Sequence, residues 1–320
     1  MSEAWPRAVI VAGPTCSGKS ALALGLARRL GGVVINADSM QVYRELRVLT
    51  ARPTAAEEAM APHALYGVRP AGEPGSVAWW RAAALGEMRA AVDAGRLPIL
   101  CGGTGMYFAA LTEGISEIPA PDASARAEAR GMLVELGPQA LHAALAEVDP
   151  VTAAGLRPGD SQRVARAWEV WRSSGRGLAS WQTEKGAPAP WRFSAILIDP
   201  PREELRAAIA WRFAGMLAAG ALEEVRALVA LGLDAALPAM RAHGVPELAA
   251  HLRGEIDLSE ARRRVELVTG QYTKRQATWF RHRKLAENER LHMIHARIAG
   301  LEQFSERNWG DLIAFIQEAG

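Results

Sequence analysis

Cysteine is scarce in this chain, and its scarcity excludes two kinds of protein. The two thiols, Cys16 and Cys101, stand far apart with no second cysteine at metal-ligand spacing, which argues against a zinc module and a disulfide scaffold. A reducing compartment is the expectation. Long apolar runs are missing too. No stretch approaches the ~20 apolar residues of a membrane span, and the first residues carry no apolar segment behind basic ones. The chain is therefore expected to be cytoplasmic, with no membrane partner. Net charge is almost absent as well, at +2, so any claim of a polyanionic partner has to rest on where cations gather. What remains, 49% apolar and 22% charged over 320 residues, is an ordinary globular composition, long enough for one large domain with an insertion or for two unequal ones.

The chain is organised around its first strand and turn. Val9, Ile10, Val11 and Ala12 run into Gly13-Pro14-Thr15-Cys16-Ser17-Gly18-Lys19-Ser20, and an Ala/Leu-rich helix follows to Leu30. This fits the phosphate-binding P-loop pattern G-x-x-x-x-G-K-[ST] in its proper setting. Glycines let the backbone curl so that its N–H groups point inward, and the helix offers its positive end to an anion. Lys19 adds a full charge, and Ser20 is placed to hold a magnesium ion. Val33, Val34, Ile35 and Asn36 form a second buried strand, so the unit is a right-handed crossover. Asp38, Ser39, Met40 and Gln41 then emerge at the carboxyl edge, beside the phosphate loop. Asp38 is the carboxylate of greatest interest, with helix capping or a water-bridged magnesium contact as its plainer roles.

Residues 52–74 give no clear element, and His63 stands alone there among apolar neighbours. Residues 76–94 carry a helical stripe in which Trp79 and Trp80 read as core or interface rather than a base-stacking platform. A third strand, Leu97 to Cys101, leads into Gly102-Gly103-Thr104-Gly105-Met106-Tyr107. Two glycine turns facing one cleft leave room for a backbone-lined substrate, although the second could merely tighten packing. From 119 to 190 the strand and helix alternation stops, and short helices are expected. There Arg163 and Arg166 share a helix face, which suits either solvent or a phosphate backbone. One long amphipathic helix is expected from 202 to 231, with Arg212 among apolar residues as a candidate anion ligand. Residues 262–284 hold eight Lys or Arg against Glu266 alone, with Tyr272, Trp279 and Phe280 between them. That is the footprint expected for nucleic acid, or else a well-solvated helix. Beyond it, Leu301, Trp309, Leu312 and Ile316 read as packing residues without chemistry.

The fold expected is α/β: a P-loop NTPase-like parallel sheet flanked by helices (residues 1–118 and 191–320, with C-terminal basic helices), carrying a helical insertion domain over 119–190. Five stretches together resemble the tRNA dimethylallyltransferases, also called tRNA isopentenyltransferases: the P-loop, Ile35 to Tyr43, Gly102 to Tyr107, Arg163 to Val170, and Gln271 to Arg281. The resemblance implies transfer of a dimethylallyl group from its diphosphate to the N6 amine of the adenosine 3′ of the anticodon. It implies tRNA, through its anticodon stem-loop, and dimethylallyl diphosphate as partners, Mg2+ as cofactor, and a monomer. Gly13, Pro14, Thr15, Cys16, Ser17, Gly18, Lys19 and Ser20 would hold the diphosphate, with Ser20 on the metal and Arg212 on the same anion. Asp38 would act as base, with Thr15 and Arg212 as the other catalytic residues. Asp38, Ser39, Met40, Gln41, Thr104, Arg126, Gln162, Arg163, Val164, Ala165 and Arg166 match tRNA-contacting positions, and Lys274 and Arg275 join them from the basic stretch. The run Arg241-Ala242-His243-Gly244 departs from the usual pattern. A small-molecule kinase using ATP on the same loop is the rival reading.

Overall fold

The computed structural model describes residues 5–184 and 186–318. Strands β1 (Arg7–Ala12), β2 (Gly32–Asn36), β3 (His63–Ala64), β4 (Leu97–Gly102), β5 (Arg192–Ile198) and β6 (Leu291–Ile294) pair in parallel in the order β3-β2-β4-β1-β5-β6. The helices in chain order are α1 (Lys19–Leu30), α2 (Ala55–Met60), α3 (Val77–Asp93), α4 (Gly105–Thr112), α5 (Ala123–Glu135), α6 (Gly137–Val148), α7 (Pro150–Ala154), α8 (Ser161–Ser174), α9 (Leu178–Gln182), α10 (Arg202–Ala218), α11 (Ala221–Ala230), α12 (Val245–Leu252), α13 (Leu258–His282) and α14 (Glu306–Glu318).

The sheet is covered on both faces, which is why its strands read as unbroken apolar runs. Ala8, Ile10, Ala12, Ile35, Leu100 and Leu197 pack against Trp80, Met88 and Phe108 from α3 and α4. Their neighbours Val9, Val11, Val34, Ile99 and Ile196 pack against Leu22 and Leu26 of α1 and Trp309 and Leu312 of α14. Alternate residues of each strand thus serve opposite cores. The parallel order leaves every strand's carboxyl end on one edge of the sheet, with β1 between β4 and β5. A third cluster, with Phe213, Leu248, Ala261 and Val265, joins α10, α12 and α13 beyond that edge.

Two compact units are present. One holds the residues up to Thr112 and those from Ala189 onward, and the other is Glu113–Pro188. The second unit is helical, α5 to α9 around Leu141, Leu145, Val164 and Trp168. Its α8 begins where Asp160 accepts a hydrogen bond from the Arg163 N–H at 3.3 Å, a side-chain N-cap.

Several sequence expectations need correction. The helix expected over 202–231 breaks at Ala219 and Gly220, because Gly220 takes φ 96° and starts α11. Residues 52–74 contain α2, fixed by a capping box between Thr54 and Glu57, and the edge strand β3. The C-terminal stretch adds β6 to the sheet edge and also reaches the phosphate loop. The Ile298 N–H donates to the Ser17 carbonyl at 2.9 Å, and Arg297 Nε donates to the Cys16 carbonyl at 3.0 Å.

Candidate active site

The phosphate loop leaves β1 at Gly13 and enters α1 at Lys19. Gly18 has φ 95°, and a Cβ there would overlap the Ile298 carbonyl, so the loop closes on the segment after β6 only with glycine at this position. Lys19 lies buried at the helix start, its Nζ 3.4 Å from the Pro14 carbonyl. Burial lowers its pKa from the usual lysine value; the nearby Asp38 carboxylate opposes that shift, while Arg212 adds to it.

A cavity of about 300 Å³ opens beside the loop. It is lined by the polar or thiol-bearing residues Thr15, Cys16, Lys19, Ser20, Asp38 and Arg212 and by the apolar residues Leu49, Ile209, Phe213, Met216 and Val265. Ser39, Met40 and Gln41 line it beside Asp38. Arg212 reaches from α10, with guanidinium nitrogens 3.7 Å from the Cys16 sulfur and 3.4 Å from the Thr50 carbonyl. Its setting among Ile209 and Phe213 is the one its place in the sequence implied.

Asp38 is held from below by Asn36, which is fully buried at the end of β2. The Asn36 carbonyl oxygen Oδ1 accepts from the Asp38 N–H at 2.8 Å, its Nδ2 donates to the Asp38 carbonyl at 2.9 Å, and its main-chain carbonyl accepts from Trp80 Nε1 at 2.8 Å. Asp38 Oδ1 in turn accepts from the Met40 N–H at 2.9 Å, leaving the carboxylate turned along the cavity wall by a local turn. Trp80 is thus core, stacked on Tyr107 at 4.1 Å, and supports the site from inside.

The second glycine turn does not line this cavity. Gln276 and Trp279 of α13 occupy the space beside it, so that a Cβ on Gly103 would strike Gln276 and one on Gly105 would strike the Trp279 indole. The expectation of room for a backbone-lined substrate gives way to close packing. Thr104 still joins the site indirectly, its Oγ1 accepting from the Ser39 N–H at 2.9 Å.

Helix α13 presents two faces. Val265, Thr269 and Tyr272 line the cavity. Burial and the facing Asp38 push the Tyr272 hydroxyl up to about 12, and His243 packs on its ring at 4.9 Å. Burial also lowers the His243 pKa. On the other face Gln271, Lys274, Arg275, Thr278 and Trp279 form a shallow groove of about 500 Å³. The basic stretch is less bare than its composition implied. Arg263 and Arg264 bind Glu260, Arg262 binds Glu266, and Arg281 makes a two-pronged pair with Asp199 at 2.9 and 3.0 Å.

In the helical unit, Arg126 and Arg166 lie close enough for their charges to repel, and Glu169 answers Arg166 at 3.8 Å. Gln162 and Arg163 are exposed and Ala165 half-buried, whereas Val164 is fully buried and packs inward. The Val164 side chain is core, so the match to a contacting position concerns its neighbours.

Gln276, Asn36, Tyr272, His243 and Arg241 were not singled out as site residues by sequence. The spacing of residues 265, 269, 272 and 276 places them on one helix face, which is the signal that could have found Tyr272 and Gln276. No charge pattern marks a buried amide such as Asn36.

The family model described as IPP transferase matches residues 41–283, and that described as isopentenyl transferase matches residues 6–62. The chain belongs to the IPP transferase family. A tRNA dimethylallyltransferase of Granulibacter bethesdensis is 62% identical over 312 residues, covering 97% of this chain and 98% of the relative. The crystal structure of the full-length tRNA isopentenylpyrophosphate transferase of Bacillus halodurans aligns with a TM-score of 0.69 at 30% identity, over 98% of this chain and 97% of that one. A eukaryotic dimethylallyltransferase acting on tRNA aligns with a TM-score of 0.77 at 22% identity, over 97% of this chain and 80% of that one, a likeness of fold alone. The IPP transferase fold here is accordingly a P-loop sheet with its cavity at the carboxyl edge.

Proposed function

We propose that this IPP transferase moves a dimethylallyl group from dimethylallyl diphosphate to the N6 amine of adenosine 37 of tRNA, next to the anticodon on its 3′ side. It does so in the cytoplasm as a monomer that engages the anticodon stem-loop. The observation that carries this reading is the mixed lining of the cavity. Lys19, Ser20 and Arg212 line it as anion ligands, Asp38 lines it with them, and Leu49, Ile209, Phe213, Met216 and Val265 add apolar surface of the kind a hydrocarbon needs.

In the reaction the allylic carbon–oxygen bond breaks, a carbon–nitrogen bond forms to N6, and pyrophosphate leaves. Lys19 and Arg212 neutralise the charge that grows on the leaving oxygen. The adenine amine is a weak nucleophile because its lone pair is drawn into the ring, and Asp38 accepts the proton that N6 gives up. The loop from Gly13 to Ser20 grips the diphosphate. Ser20, exposed at the start of α1, supplies a hard oxygen donor to the cavity, which suits Mg2+ with its remaining positions filled by phosphate and water. Bound there, the ion would add positive charge beside the diphosphate. For its target amine to enter the cavity, the adenosine is flipped from the anticodon loop. Lys274 and Arg275 along the groove of α13, Asp38 to Gln41 at the cavity, and Arg126, Gln162, Arg163 and Arg166 in the helical unit are the tRNA contacts.

The test is incubation of the protein with a tRNA anticodon stem-loop and labelled dimethylallyl diphosphate, followed by nuclease digestion. Isopentenyl adenosine is the expected product. Transfer of the γ-phosphate of ATP to a small acceptor, with no prenylated nucleoside, would overturn the reading.

A further inference from the structure

Gln276 sits where no charge or metal chemistry calls for it, only 4% exposed in the middle of a basic helix. A buried amide is costly unless its polar atoms find partners, and Gln276 finds them in the two turns at the sheet edge, with Tyr272 of its own helix also in side-chain hydrogen-bond contact. Its Oε1 accepts from the Thr15 backbone N–H at 2.8 Å and from the Thr15 hydroxyl at 3.0 Å, while Nε2 donates to the Gly103 carbonyl at 2.9 Å. The amide cannot turn over. Reversed, its NH2 would face the Thr15 N–H and its oxygen would face a carbonyl.

We propose that Gln276 is a positioning residue for the transfer reaction, acting through Thr15. It fixes the first turn of the phosphate loop from the inner face of the helix whose outer face carries Lys274, Arg275 and Trp279. This rests on the reading of the loop as the diphosphate site and of the α13 groove as a tRNA contact. Thr15 gives both its backbone N–H and its hydroxyl hydrogen to Gln276, so its hydroxyl serves the cavity only as an acceptor. A shift of α13 would therefore move that hydroxyl. Gly103 is part of the same device, since any side chain there would displace the amide from Thr15.

A double-mutant cycle separates this role from plain packing. Gln276→Met, Thr15→Val and the double variant are compared with the unaltered chain for kcat, KM for dimethylallyl diphosphate and tRNA affinity by filter binding. Each single change should lower kcat/KM for the diphosphate by about tenfold, the scale of one lost hydrogen bond with its partner left unpaired, with tRNA Kd within about twofold. The loss in the double variant should fall short of the product of the two single losses, because both changes remove the Thr15 hydroxyl bond whereas the backbone N–H bond is lost only with Gln276→Met. Losses that multiply in the double, or a loss confined to tRNA binding, would overturn the proposal. Gln276→Glu guards against misfolding of the apolar variant. A protonated carboxyl reproduces both the donor and the acceptor, so the activity of Gln276→Glu relative to the unaltered chain should climb as pH falls from about 8 to about 6. A flat ratio would also overturn it. If the unaltered chain prenylates no stem-loop, the activity assignment fails instead, an outcome visible before any variant is made.

Discussion

The turn after β1 and the turn after β4 leave paired parallel strands at the same edge of one sheet, and both are rich in glycine. In the first, Gly18 lets the backbone take a left-handed conformation against Ile298, and the loop curls around Lys19 beside an open cavity. In the second, Gly103 and Gly105 make way for Gln276 and Trp279, and the space is filled. The same residue type at the same topological position thus serves ligand access in one case and helix packing in the other. What separates them is the element that arrives from far along the chain: α13 fills the space at the second turn, whereas at the first its Gln276 bonds Thr15 and the cavity stays open.

The largest effects should come from the open side. Asp38→Asn is expected to lower kcat by about 10²- to 10⁴-fold, the usual worth of a general base, with KM for dimethylallyl diphosphate nearly unchanged. Steady-state kinetics on a stem-loop substrate checks this, and full activity would remove Asp38 as the base. Lys19→Met should instead raise that KM and lower kcat together. The filled side should respond in stability. Gly105→Ala is expected to destabilise the fold by about 1–3 kcal/mol through the clash with Trp279 while the folded enzyme keeps its KM, as urea melts and kinetics would show. A changed KM with unchanged stability would erase the contrast between the two turns.

Smaller changes sharpen the account of α13. Lys274→Ala should weaken tRNA binding and make the slope of log K against log salt shallower by about 0.7 to 0.9, one phosphate contact. An unchanged slope would place Lys274 away from the backbone. The smallest effect concerns His243, whose pKa burial holds below the usual 6.5. Between that lowered value and 6.5 the unfolded chain binds the extra proton, so stability falls as the solution is acidified through this window. His243→Gln should flatten that loss, seen as a Tm difference of about 2 °C or less between pH 7.5 and 5.

Much of the site was legible because its chemistry is local. Gly13 to Ser20 and Asp38 to Gln41 are contiguous segments whose roles follow from a strand, a turn and a helix start, and Arg212 announced itself as a charge among apolar neighbours. The strand order, β6 and the break at Gly220 were not legible, since β6 spans only Leu291–Ile294 and a short apolar run has no period of its own. Arginines in 262–264 find their acids on their own helix and Arg281 finds Asp199, a partner 82 positions away, so a count of charge overstated what remains for tRNA.

By itself the order of residues determined that an anion-gripping loop would stand at the carboxyl end of a buried strand, with a carboxylate emerging beside it, because glycine conformations, helix dipoles and parallel crossovers are decided within a few dozen neighbours. Only the folded chain decided which glycine turn stays open, which cations remain unanswered and which buried amide steadies Thr15. Those outcomes depend on contacts between distant segments, Thr15 and Gln276 being 261 positions apart, and at that separation geometry rather than local preference chooses the partner.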